Sequence, residues 1–292
     1  MLNKIASLTL GLAATSLCYF APYTPSAQAA TLIGDWQYTI DSPNDSMAGS
    51  EVGHTKYEIY SMAMKQTLDE VIFAISTNLP LAGTPSDYAL DGRVSWGDFL
   101  LNFTGQSLDV ANQNAQLFGV RFSDNNESGV PSLGLYSNVT AKTIAYENGL
   151  LLYDRSLRGY NNYVISKGGT PSIGDLSAYD PYFNQNTHIP NVMVSGVKIG
   201  EVNIFSDLSG LGLDFAAVGP VGTYTHAFSI DRSLLPDGSF VAHLGPECNN
   251  DVIAITGELE PVPVPEPSAA LALGAVGVVM GARRMRRRSS LV

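Results

Sequence analysis

Hydrophobic and polar positions alternate with a period of two along most of this chain. Residues 35–40 (Asp35, Trp36, Gln37, Tyr38, Thr39, Ile40) open the pattern and predict a strand with one face buried. Residues 41–53 are rich in Ser, Asn, Asp and Gly and predict a loop. Residues 57–64 place Tyr57, Ile59, Ser61 and Ala63 on one face of a second strand. Residues 71–76 form a third, and the polar bend at 67–70 makes the two a hairpin. Further runs fall at 93–96, 99–103, 116–122, 134–139, 192–197, 201–205, 224–230, 240–244 and 252–255. The total is about ten to twelve short strands with turn residues between them. Strand–turn spacing without long helical periods predicts a mainly β protein, with residues 30–260 forming a jelly-roll-like β-sandwich. Trp36 and Trp96 both lie in apolar alternating runs and are expected to be at least half buried.

The rhythm lapses between residues 153 and 190. Ser156 is placed to cap a short helix with Leu157, Tyr160 and Val164 on one side and Gly168-Gly169 as its stop. Residues 175–183 predict a second helical turn, ended by Asp180-Pro181. Five tyrosines, Tyr153, Tyr160, Tyr163, Tyr179 and Tyr182, concentrate here beside Phe183. An insertion of this length in a compact domain is either a binding feature or a cover over an open end. As a binding feature, its aromatic faces make these tyrosines candidate carbohydrate-binding residues.

The two ends carry targeting patterns. Residues 1–29 have the form of a secretory signal: Lys4, an apolar stretch over 5–20, and the small-x-small site Ala27-Gln28-Ala29, with Ala30 as the first mature residue. Leu17 before Cys18 is too bulky for a lipoprotein site. Loss of Cys18 leaves Cys248 as the one mature cysteine, so no intrachain disulfide is expected. At the other end, a Pro-rich spacer at 261–267 favours an extended polyproline conformation. An uncharged apolar run follows at 268–282, then a basic tail at 283–292 with Arg283, Arg284, Arg286, Arg287 and Arg288. As a helix the apolar run rises roughly 22 Å, against about 30 Å of hydrocarbon, and long arginine stems close part of that gap. The arrangement predicts a C-terminal transmembrane helix with its arginines in the cytoplasm as a stop-transfer signal.

Pro265-Glu266-Pro267, then the apolar helix, then the arginine cluster resembles the PEP-CTERM sorting signal of bacterial surface proteins. The resemblance covers about a tenth of the chain and implies export, membrane capture and processing near the motif by an exosortase. The body resembles the XDD group of cyanobacterial exosortase-dependent surface proteins. Tyr57-Glu58-Ile59-Tyr60, Asn78-Leu79-Pro80-Leu81, Trp96-Gly97-Asp98, the run 136–142, Gly168-Gly169-Thr170-Pro171, Leu234-Leu235-Pro236 and Glu247-Cys248-Asn249-Asn250-Asp251 carry that likeness. It implies surface location and a β-rich body, and no catalysis.

Charge sharpens this picture. The chain carries −11, and setting aside Lys4, the five tail arginines and Glu266 leaves −16 on residues 30–260. So acidic a body argues against nucleic acid and suits cations and a polysaccharide-rich exterior. Asp124, Asn126 and Ser128 imitate positions 1, 3 and 5 of an EF-hand, with Gly129 at 6. Leu135 stands where that loop needs a bidentate Glu, which leaves only a loose calcium candidate. His54, His188, His226 and His243 lack zinc-ligand spacing. His243, Cys248 and Asp251 offer the residue types of a thiol nucleophile, but on one strand and the following turn.

Together these readings describe an exported, non-enzymatic surface or matrix protein without a cofactor. Its expected partners are signal peptidase, an exosortase, the membrane through its C-terminal helix, and extracellular polysaccharide. A carbohydrate-binding module and a carboxylate hydrolase are the rival functions. The hydrolase would need two acids facing one cleft, one with a raised pKa.

Overall fold

Alternating runs become strands where turn residues release them, and the computed structural model describes residues 31–149 and 156–262. Ala27, Ala29, Tyr153, Pro265, Glu266, Pro267, the span 268–282 and Arg283, Arg284, Arg286, Arg287 and Arg288 lie outside the described residues. Among the described residues no helix is long and apolar enough to cross a membrane.

The chain forms β1 (Thr31–Ile33), β2 (Trp36–Ile40), β3 (Met47–Ala48), β4 (Glu51–Val52), β5 (Ile59–Gln66) and β6 (Glu70–Thr77). Next come β7 (Thr84–Pro85), β8 (Arg93–Val94), β9 (Phe99–Asn102), helix α1 (Leu108–Gln113), β10 (Leu117–Arg121) and β11 (Gly134–Lys142). Helix α2 (Leu157–Ser166) precedes β12 (Val192–Gly200), β13 (Val202–Ile204), β14 (Tyr224–Asp231), β15 (Gly238–Leu244) and β16 (Ile253–Leu259). Two antiparallel six-stranded sheets result, ordered β1-β2-β5-β6-β14-β13 and β12-β11-β10-β9-β15-β16. The fold is therefore mainly β with few helices.

The sheets face each other across one core. Phe73 of β6 meets Phe99 of β9 with ring centroids 4.5 Å apart, and Phe228 of β14 stands edge-on to Phe99. The outer faces are also covered. Phe205, Leu208, Leu211 and Phe215 lie on the first sheet against Trp36, Tyr38 and Ala74. Leu108, Leu157, Ile173 and Phe183 lie on the second, against Leu100, Val139 and Ala254. Central strands are consequently buried on both faces, as β5, β6 and β9 are.

That burial exposes one misreading. The expected core face Tyr57–Ile59–Ser61–Ala63 is broken by a β-bulge between Ile59 and Ser61. Tyr57 and Ile59 enter the central core, but beyond the bulge Met62 and Met64 take over while Ala63 faces the outer layer. One extra residue reverses the parity of everything after it. Trp36 and Trp96 are buried, as expected. Only Arg93 and Val94 of the 93–96 run form a strand, and Trp96 makes a single bridge to Pro246.

Between β11 and β12 the described residues join neither sheet. Ser156 caps α2, its Oγ accepting from Gly159 N at 3.0 Å, and Leu157, Tyr160 and Val164 face inward. The second helical turn expected at 175–183 is absent. Ile173 bridges Leu176, and turns follow, because Asp175 N bonds the Ala254 carbonyl of β16 instead of continuing a helix. Helix α1 has no counterpart in the hydrophobic pattern: at six residues it spans too few turns to show a period.

Candidate metal centre

Four carboxylates from distant parts of the chain meet beneath the insertion. Asp41 follows β2 directly, and its N–H bonds the Tyr60 carbonyl, which ties the start of the loop to β5. Asp45 lies four residues on, inside a loop that the β3–β4 ribbon folds back on itself. Glu58 immediately precedes β5, and Asp251 stands two residues before β16. All four are buried, none more than 3% exposed.

The insertion supplies donors to two of them. Ser172 donates its N–H to Asp45 Oδ2 at 2.7 Å and its hydroxyl to Asp41 Oδ1. Gly174 N–H reaches the same Asp41 oxygen at 3.1 Å. Gly174 has φ +58 and lies so near the Ala254 carbonyl that a Cβ would collide with it, so only glycine brings its N–H this close. Glu58 Oε2 accepts from Ser46 Oγ at 2.7 Å and from His54 N. Asp251 Oδ2 accepts from Ile59 N at 2.6 Å. The Tyr160 hydroxyl donates to the carbonyls of Asp45 and Asn250, at 2.7 and 2.9 Å.

These donors do not satisfy every lone pair. Asp41 Oδ2, Asp45 Oδ1 and Glu58 Oε1 are buried with no hydrogen-bond partner. One carboxylate oxygen each from Asp41, Asp45 and Asp251 lies within 4.8 Å of the others. The ion pairs formed among the described residues are elsewhere, at Lys65–Asp35, Lys198–Glu201 and Arg232–Asp237. Burial pushes Asp41 and Glu58 up to about 7. Asp45 and Asp251 rise well above the usual carboxylate range, through burial first and then the charges of their acidic neighbours. Burial and the same acids, Asp251 foremost, also raise the Tyr160 phenol. Crowded, desolvated anions of one sign need either protons or a cation, and an all-oxygen donor set suits a hard cation.

The residues singled out by sequence have other placements. Asn126 and Ser128 point to Asp98, donating to its Oδ1 and Oδ2 at 2.8 and 2.7 Å. Arg121 donates to the carbonyls of Asp124 and Asn126, and the Asp124 side chain is exposed. The loop is thus built around a carboxylate and a guanidinium, with no convergence of Asp124, Asn126 and Ser128 on one point. Among the tyrosines, Tyr160 is buried, Tyr163 and Tyr182 are half-buried, and Tyr179 is 44% exposed. Phe183 is buried against His243. The described aromatics therefore do not line one open trough.

His243, Cys248 and Asp251 do not form a relay. His243 Nε2 must donate to the Pro190 carbonyl at 3.0 Å, since that oxygen can only accept, and burial lowers the imidazole to about 4. Burial pushes the Cys248 thiol up to about 12, opposite to an activated nucleophile. Asp251 is engaged with Ile59 and Val252 backbone N–H groups.

Asp41, Asp45, Glu58 and Asp251 escaped sequence reasoning as a group. The available signal was Glu58, a lone carboxylate in an apolar run whose strand is buried on both faces. Comparison of the chain with protein-family models, curated proteins and solved structures finds no match.

Proposed function

We propose that this chain is an exported surface protein, cleaved after Ala29 and held in the membrane by residues 268–282. In this reading an exosortase processes it near Pro265-Glu266-Pro267. Its body is a non-catalytic β-sandwich, jelly-roll-like, serving in the extracellular matrix. The observation that carries the reading is where the body stops. Glu260 N–H bonds Gln66 Oε1 at 2.9 Å, and its carbonyl accepts from Gln66 Nε2 at 2.9 Å and Arg232 Nη2 at 2.7 Å. Pro261 and Val262 follow in irregular conformation. Leu32 and Asp35, at the start of the body, line one surface groove together with Glu258, Glu260, Pro261 and Val262. Both ends of the body thus leave from one place, which suits a domain hung from a single stalk.

A non-catalytic role is supported by the burial of Asp41, Asp45, Glu58, Asp251, Cys248 and His243. A carbohydrate-binding role is weakened because Tyr160 and Phe183 are spent on packing. Fractionation with protease protection tests the proposal. The body should be digested from outside, replacing Pro265 and Glu266 by alanine should leave insertion intact but block processing, and changing all five tail arginines to glutamine should release the body. A body protected inside the cytoplasm would overturn the export reading, and normal processing of the Pro265/Glu266 variant would overturn the sorting reading.

A further inference from the structure

We propose that the body binds one calcium ion through the carboxylates of Asp41, Asp45 and Asp251, with Glu58 as a neighbouring acid outside that trio. The inference concerns the body alone and does not depend on where the chain resides. Geometry is the first argument. Two oxygens bound to one calcium ion stand at most twice the metal–oxygen distance apart, about 5 Å. The 4.8 Å convergence of the three carboxylates meets that limit.

The second argument is independent of the clustering. A buried carboxylate oxygen without a donor is costly, and native interiors rarely tolerate one. Here two occur on members of the converging group, Asp41 and Asp45, and a third on the neighbouring Glu58, while the other oxygens of the same side chains accept from N–H and O–H donors. Donors hold Asp41 and Asp45 by one oxygen each and leave the other for a ligand, while Asp251 is oriented by the N–H groups of Ile59 and Val252. A bound cation supplies what those free oxygens lack.

The donor set selects the ion. No imidazole or thiol joins the group, so zinc is disfavoured. Magnesium keeps several waters and demands a small octahedron, whereas calcium accepts six to eight oxygens in irregular geometry. A small cavity of about 10 Å³, lined by Tyr160, Ser172 and Asp251, adjoins the site. That is about the room one water needs as a further ligand. The ion would tie the loop after β2, the start of β5, the approach to β16 and, through Ser172 and Tyr160, the insertion into one unit.

The rival state is a set of carboxylates neutralised by shared protons. The full chain, stripped with chelator and titrated with calcium at neutral pH, separates the two. Saturating calcium at a hundred times Kd should raise Tm by on the order of 5–10 °C. Equilibrium dialysis should find a tight site of one ion per chain. Terbium should give saturable luminescence on excitation of tyrosine, because the Tyr160 phenol bonds the Asp45 carbonyl. Asp45→Asn keeps an oxygen for Ser172 N–H; it should match or exceed the wild-type Tm in chelator yet weaken calcium at least tenfold. Asp124→Asn should leave the response unchanged. A wild-type chain whose Tm ignores both calcium and chelator, or a response lost in Asp124→Asn and kept in Asp45→Asn, would overturn the proposal. The wild-type titrations decide the matter even if Asp45→Asn fails to fold.

Discussion

Asp98 and Asp41 are buried to nearly the same degree, yet their surroundings differ in kind. Asp98 Oδ1 accepts from Asn126, its Oδ2 accepts from Ser128 and from Met193 N at 2.7 Å, and Arg121 adds a favourable charge. These donors oppose the effect of burial and hold Asp98 at about 6. Asp41 has one satisfied oxygen, one orphan, and acidic neighbours; it is pushed to about 7. Burial of a carboxylate is therefore no sign of a metal. The sign is the balance of lone pairs against donors and of negative against positive charge, and among the described residues Asp41, Asp45 and Glu58 fail on both counts.

The largest expected effect is on pH dependence in chelator. Asp41 and Glu58 rise from 3.8 and 4.5 to about 7, so between roughly pH 4 and 7 the folded state binds more protons than the unfolded one. Stability is fully present below that window and is lost as pH rises through it. Each tenfold difference in proton affinity between the folded and unfolded states is worth about 1.4 kcal/mol. Calcium should flatten the loss, because the ion replaces the protons. Urea unfolding at pH 5 and pH 8, with and without chelator, measures this. Asp98 and Glu247, raised to about 6 and about 8, lose stability over the same range whatever the calcium, so a pH dependence identical with and without calcium would break the contrast with Asp98.

Next in size is Asp98→Ala. Three buried donors lose their acceptor, which should cost about 3 kcal/mol or more, equally with and without calcium. A cost that shrinks when calcium is added would place Asp98 in the ion site and merge the two regions. A smaller effect sharpens the part of the insertion in the comparison. Ser156→Ala removes the cap of α2 and should cost about 1 kcal/mol. Calcium affinity should fall little, since Ser172 and Gly174 hold the acids from the segment after the helix. A cap loss that abolishes calcium binding would show that α2 itself sets the site.

Much of the sheet framework was legible because a strand writes a local pattern. Val71, Phe73 and Ile75 enter the core together, and the hairpin expected of residues 57–64 and 71–76 forms as β5 pairs β6. The cap at Ser156 was legible for the same reason: a helix start depends on its next three residues. Legibility failed where one residue changes the count. The bulge at Ile59 sends Met62 and Met64 to the face assigned to Ser61 and Ala63, and nothing within residues 57–64 announces it.

The acidic site lies at the far end of that scale. The sequence by itself determined that the body is β-rich and strongly acidic, with the loose calcium candidate at Asp124, Asn126 and Ser128 as its nearest approach to a local metal motif. Only the tertiary structure decided which of its acids share a centre. Asp41 and Asp45 stand in a loop whose composition reads as solvent-exposed, and Asp251 closes a turn near the other end of the body. Their meeting follows from β2 pairing β5, and from residues 172–175 closing over Asp41 and β16. Strand alternation is set by neighbours along the chain, whereas burial of a charge is set by whatever the rest of the chain places on top of it.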